Sequence, residues 1–205
     1  MLAKLLRVVA PLLLGGLVLT ACYSGNSSGP HVLIGGDSIT ADASLAITAQ
    51  LNGYYDTDVQ ATAGNTFGQQ VPVIETEITK DSPAPQDYII NLGTNDALNS
   101  AFGNPPTDWV DPLNSLLSVT SSAGCVVFFT VNTAADGGNG TTVALQINAE
   151  IAGLVRSNPS HFEEVDWNGL AHANPGWLQS DGIHPNATGD QEIAAWDSIA
   201  LSVCP

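Results

Sequence analysis

Ser38, Asp181 and His184 are the residues of this 205-residue chain that together could cleave an ester. A serine hydroxyl is a weak nucleophile until a base takes its proton, and an imidazole oriented by a carboxylate is such a base. Asp181 and His184 stand close together in "DGIHP", with Gly182 between them to permit a tight turn. Pro185 biases His184 away from helical geometry, so the pair belongs on a loop. The carboxylate can then fold back onto one ring nitrogen and leave the other free to face Ser38. Charge developing on the attacked carbonyl needs fixed donors. The backbone N–H groups of Ser38 and Gly64 and the side-chain amide of Asn95 are the candidates for this oxyanion hole. A glycine at 64 lets an oxyanion approach the backbone closely, and an asparagine amide is a neutral donor suited to negative charge.

These residues act only if the chain brings them to one place. Ser38 lies in "VLIGGDSIT", where the apolar run Val32 to Ile34 reads as a buried parallel strand that stops at Gly35 and Gly36. A bland role is open to Ser38 at that point, as the N-cap of the helix that follows. Strands are predicted at 31–36, 57–61, 87–93, 125–131 and 162–166, and helices over 39–51, 68–79, 107–122, 141–156 and 187–202. "DGGNG" at 136–140 reads as a loop. Strands alternating with helices imply a parallel sheet with right-handed crossovers in a three-layer α/β/α sandwich. All strand ends of such a sheet open on one edge. "GGDSI", "ATAGNT" and "NLGTND" follow the first three strands and "DGIHP" precedes the last helix, so the four segments converge there.

In order and composition these segments resemble the four motif blocks of the SGNH, or GDSL-type, hydrolases. Gly-Asp-Ser stands at 36–38, the lone glycine at 64, Gly-x-Asn-Asp at 93–96 and Asp-x-x-His-Pro at 181–185. The resemblance implies a flavodoxin-like fold with a five-stranded parallel sheet over one domain at 31–205. It also implies Ser38, Asp181 and His184 as catalytic triad, with Ser38, Gly64 and Asn95 as oxyanion hole. The Gly-x-Ser-x-Gly elbow of α/β-hydrolases is absent, since Thr40 takes the last glycine's place. The expected activity is hydrolysis of short acyl esters through an acyl-enzyme, on carbohydrate acetyl groups or small lipid esters. Acyl transfer to a sugar or lipid acceptor is the alternative within the family, and a non-catalytic surface binding module is the alternative outside it.

Residues 1–21 read as a signal peptide: Lys4 and Arg7 precede an apolar run, Val8 to Leu19, that is short for a membrane span. "LTAC" at 19–22 resembles the lipobox of bacterial lipoproteins, in which Cys22 is lipidated and becomes the first residue. Residues 22–30 then read as a flexible tether, and the expected location is the bacterial cell surface, anchored to a membrane by lipid. Removal of the signal leaves Lys80 and Arg156 as the basic side chains against 20 acidic ones, which excludes nucleic acid as a partner. Cys125 and Cys204 remain to form a disulfide outside the cytoplasm, between a strand and the last helix. Asp37 and Asp96 follow glycine turns and are expected to hold their loops. Trp177 divides between packing and a substrate-facing wall, and His31, His161 and His172 have no partner motif. Asp56 with Asp58, and "DGGNG", do not carry a calcium-loop ligand sequence, so neither metal nor cofactor is expected.

Overall fold

The structure, a computed structural model, describes residues 20–24, 29–102, 104 and 107–204. Among these, strands β1 (Thr20–Ser24), β2 (His31–Gly36), β3 (Asp56–Thr62), β4 (Asp87–Asn91), β5 (Cys125–Phe129) and β6 (Phe162–Val165) form one sheet. Its order is β1-β3-β2-β4-β5-β6, and every neighbouring pair from β3 to β6 is parallel. Helices α1 (Ser38–Leu51), α2 (Phe67–Lys80), α3 (Thr94–Ala101), α4 (Val110–Val119), α5 (Thr141–Ser157), α6 (Trp167–Ala173) and α7 (Ala187–Val203) connect and cover it. This is the three-layer sandwich with five parallel strands that the alternation predicts.

The apolar runs are continuous because both faces of the sheet are covered, and successive side chains point to opposite faces. Val32, Ile34, Ile89, Val127 and Phe129 enter one core, with Ile39, Ala43 and Ile47 of α1 and Ile193 and Ala194 of α7. Leu33, Tyr88, Ile90, Val126 and Phe128 enter the other, with Val71 and Ile74 of α2, Leu113 and Leu116 of α4 and Ile147 and Ile151 of α5. Each fully buried Ile, Leu, Val or Phe contributes roughly 1.5–3 kcal/mol, so the two cores dominate the stability of the sheet. The Cys125–Cys204 disulfide is formed, with the Cα atoms 5.7 Å apart, and ties the start of β5 to the C-cap of α7.

Several elements differ from the sequence reading. β4 stops at Asn91, because Gly93 adopts φ 110° and starts α3, a helix too short to announce itself by periodicity. β5 ends at Phe129, because the Val131 N–H turns away to Asn148 Oδ1 at 2.7 Å. The helix expected over 107–122 covers Val110–Val119, and α6 was not anticipated. Thr20–Ser24, at the junction of the expected signal and tether, pairs antiparallel with β3 and satisfies the backbone of what would otherwise be an open edge. Most of the signal (1–19) and the middle of the tether (25–28) lie outside the described residues.

Candidate active site

β2 lies between β3 and β4, so the turns that leave these three strands are neighbours at one edge of the sheet. Ser38 leaves β2, Gly64 leaves β3 and Asn95 leaves β4. The order of connections reverses here, β2 crossing to β3 on one side and the chain then returning to β4 on the other, and such switch points open a crevice.

Ser38 is the first residue of α1, but Asp37 is its cap: Asp37 Oδ1 accepts the Ile39 N–H at 3.0 Å. The serine hydroxyl is therefore not engaged at the helix start. It lies 3.0 Å from His184 Nε2, and His184 Nδ1 lies 2.7 Å from Asp181 Oδ2. The other carboxylate oxygen, Asp181 Oδ1, accepts the N–H groups of Ile183 at 2.9 Å and His184 at 3.1 Å. This turn requires Gly182 at φ 69°, a conformation costly for a residue with a Cβ. Burial pulls the Asp181 carboxyl up, but the His184 ring and the two backbone donors outweigh it and hold the group below its ordinary value. An ionised carboxylate thus faces one ring nitrogen and a serine hydroxyl the other, a path along which the hydroxyl proton can pass to the imidazole.

The loop is fixed from outside. Asn132 Nδ2 donates to Gly182 O at 3.3 Å, and the Gln179 N–H donates to His184 O at 2.8 Å. Asn186 caps α7 through Thr188 and Gly189 while its amide donates to Gly176 O and Leu178 O.

Asn95 Nδ2 donates to Asp37 Oδ2 and to Asn65 O, both at 3.1 Å, so both amide hydrogens are engaged. Asn65 in turn donates to Gln70 Oε1 at 2.8 Å, and buried Gln70 donates to Gln60 O at 2.7 Å. Asn65 and Gln70 are positioning residues that sequence reasoning missed. Asn65 adjoins the glycine of the second block, but nothing in the sequence marks Gln70, a helical residue whose side-chain partners lie outside its own helix. Among the described residues, the Ser38 and Gly64 N–H groups donate to no other group. Gly64 has φ 82°, and a Cβ there would meet nothing within 4 Å. A positive φ of this size favours glycine at 64.

Asp37 is fully buried. Burial pushes its carboxyl from 3.8 up to about 7, against the pull of the Ile39 N–H, His184 and Asn95, with Asp96 adding to the rise. Asp96 accepts the Phe67 N–H at 3.0 Å and so fastens α3 to the start of α2, the loop-holding role expected of it. Trp177 stacks on Trp167 with ring centroids 6.3 Å apart, which assigns it to packing. His161 packs edge-on against Phe162, and His172 Nε2 lies 3.2 Å from Thr133 Oγ1. A cavity of about 330 Å³, lined by Asn132, Ala134, His172, Leu178, Gln179 and Gly182, adjoins the Asp181–His184 loop.

With this geometry in place, comparison with known proteins supplies the family. The GDSL-like Lipase/Acylhydrolase family matches residues 35–192. The chain belongs to that family. It is accordingly a carboxylic ester hydrolase. No curated protein sequence matches the chain. Among solved structures, it is similar to the C-terminal catalytic domain of the peptidoglycan O-acetyltransferase A of Streptococcus pneumoniae. That match has TM-score 0.68 and 18% identity and covers 86% of this chain and 94% of that one. A lipase/acylhydrolase from Enterococcus faecalis has TM-score 0.64 and 16% identity, covering 85% and 95%. A catalytic mutant of an acetylxylan esterase from Geobacillus stearothermophilus has TM-score 0.65 and 18% identity, covering 86% and 95%. These likenesses establish the SGNH hydrolase fold.

Proposed function

We propose that this GDSL-family hydrolase is a lipid-anchored, extracytoplasmic serine esterase that removes short acyl groups, acetyl above all, from carbohydrate. The observation that carries the chemistry is the unbroken line Ser38 Oγ, His184 Nε2, His184 Nδ1, Asp181 Oδ2, with separations of 3.0 and 2.7 Å at its two hydrogen bonds. His184 takes the Ser38 proton as Oγ attacks the ester carbonyl. The tetrahedral oxyanion forms against the uncommitted N–H groups of Ser38 and Gly64, at the positive end of α1. Asn95 joins them when one amide hydrogen leaves Asn65 O. His184 then gives its proton to the departing alcohol, leaving an acyl-Ser38, and water activated by the same imidazole releases the acid.

The cavity beside the His184 loop, where Asn132, His172 and Gln179 stand among apolar neighbours such as Leu178, gives the alcohol part of an ester a place to lie. An acetylxylan esterase and a peptidoglycan O-acetyltransferase share the fold, which supports an acetyl group on a glycan as the substrate class. Anchoring rests on "LTAC" and on the polar stretch that follows. A panel of purified protein against nitrophenyl esters of increasing chain length and against acetylated xylan and peptidoglycan tests the substrate. Release of acetate from a glycan, with turnover declining as the acyl chain lengthens, is expected. Preference for long acyl chains would replace the glycan with a lipid ester. Transfer of acetyl to an added sugar in preference to water would make the protein an acyltransferase.

A further inference from the structure

At the end of the sheet opposite Ser38, three metal-ligating side chains from distant parts of the chain meet. His31 opens β2, Asp58 lies on β3, and Asp81 is the C-cap of α2. One ligand atom of each lies within 4.8 Å of the others. His31 Nε2 and Asp81 Oδ2 are 3.8 Å apart, too far for a hydrogen bond. Yet that Asp81 oxygen is buried and has no hydrogen-bond partner among the described residues. A buried carboxylate oxygen that accepts no hydrogen bond and faces an imidazole nitrogen calls for a partner that both can share.

We propose that His31, Asp58 and Asp81 bind one divalent transition-metal ion, with Zn²⁺ the best match to one imidazole nitrogen and two carboxylates. A tetrahedral ion about 2.0–2.2 Å from each ligand holds its ligands roughly 3.4 Å apart, so the His31–Asp81 pair needs little closure. Asp58 is already oriented: Gln60 Nε2 donates to its two oxygens at 2.9 and 3.2 Å, and each keeps a lone pair for a metal. Burial raises the Asp58 carboxyl, Gln60 draws it down, Glu77 and Asp81 raise it further, and His31 lowers it. The nearby ammonium of Lys80 is held by Glu77 at 2.8 Å. The carbonyl end of α2 adds its negative dipole beside Asp81. A cavity of about 350 Å³, lined by His31, Asp56, Asp81, Ser82 and Gln86 among others, gives an ion its entry and a place for water as a further ligand.

Such an ion clamps the first residue of β2 to β3 and to the end of α2. β2 runs six residues from His31 to Gly36, so the ion sits about 20 Å from the Ser38 edge and takes no part in ester chemistry. Calorimetric titration of the metal-stripped full chain with ZnCl₂ tests this, with thermal melting alongside. One ion per chain is expected, with a higher melting temperature. His31→Ala and Asp81→Asn should each weaken binding by at least the roughly 10- to 100-fold that losing even an outer-shell partner costs. His184→Ala, which removes the competing imidazole at the other end of the sheet, should still bind one ion. Binding lost in His184→Ala but kept in His31→Ala would overturn the proposal, as would no saturation of the wild type by about 1 mM ZnCl₂. Should the variants fold poorly, zinc-edge absorption of the loaded wild type decides: one imidazole among oxygen ligands is expected, and a shell without imidazole or with several refutes the site.

Discussion

At Ser38 the hydroxyl and the helix start are separate concerns, because Asp37 supplies the cap. Ser38→Ala should therefore abolish ester cleavage and leave the protein folded, since the change removes one part-buried hydrogen bond, worth about 0.5–1.5 kcal/mol, and leaves the helix cap intact. Turnover above background in a folded Ser38→Ala protein would remove serine from the mechanism. Asn95→Ala should lower kcat on the order of 10² to 10³, the usual loss for one oxyanion donor. Because Asn95 also holds Asp37 and Asn65, this variant should lose more stability than Ser38→Ala. Acid should lower kcat, because only neutral imidazole accepts the serine proton. Asp37 adds a pH dependence of stability. In the unfolded chain its carboxyl ionises near 3.8, whereas in the fold it holds its proton up to about 7. Between those values the folded state binds the extra proton, so this residue's contribution to stability falls as pH rises through the window and is level above it.

α7 is where chain connectivity and buried charge meet. Its C-cap Cys204 is bonded to Cys125 at the head of β5, closing a loop with a sequence separation of 79. In the chain-entropy model a loop of that length stabilises by about 4–5 kcal/mol. Reduction should lower the unfolding free energy read from urea melts by up to that amount, and thiol titration of the unfolded, unreduced chain should find at most the single thiol of Cys22. Two or more titratable thiols would disprove the bridge. Asp197, on the same helix, is fully buried, and neither carboxylate oxygen has a hydrogen-bond partner among the described residues. Burial pushes its carboxyl well above the ordinary value, so it folds in the protonated form. As for Asp37, the folded state keeps a proton that the unfolded state gives up, and stability is lost as pH rises above the ordinary carboxylate range. Asp197→Asn cannot ionise. Urea melts at about pH 5 and about pH 8 should show a smaller loss of stability in the variant than in the wild type. Equal losses would mean that Asp197 is ionised in the fold.

For the whole molecule, the proposed attachment to a membrane rests on lipid at Cys22. No helix among the described residues is long and apolar enough to cross a bilayer, and the formal charge of −16 repels anionic headgroups. Cys22→Ala in a bacterial host should stop lipid labelling and deplete processed protein from the membrane fraction. Normal maturation and unchanged membrane retention of the variant would discard the lipobox. The sequence by itself determined the sheet, because apolar runs such as "CVVFF" must be buried on both faces wherever they sit. It likewise determined the pairing of Asp181 with His184, since three residues around a glycine reach each other without help from the rest of the chain. Local order also marked Ser38, but left it open whether the serine capped a helix or faced a base. That was decided in space: Asp37 takes the cap, and a loop 146 residues away delivers the imidazole. Tertiary structure alone joined Asn95 to Asp37, Asn65 to Gln70 and His31 to Asp58 and Asp81. Those contacts depend on which strands lie side by side, and strand order is set by the packing of two cores, which no short window of sequence contains.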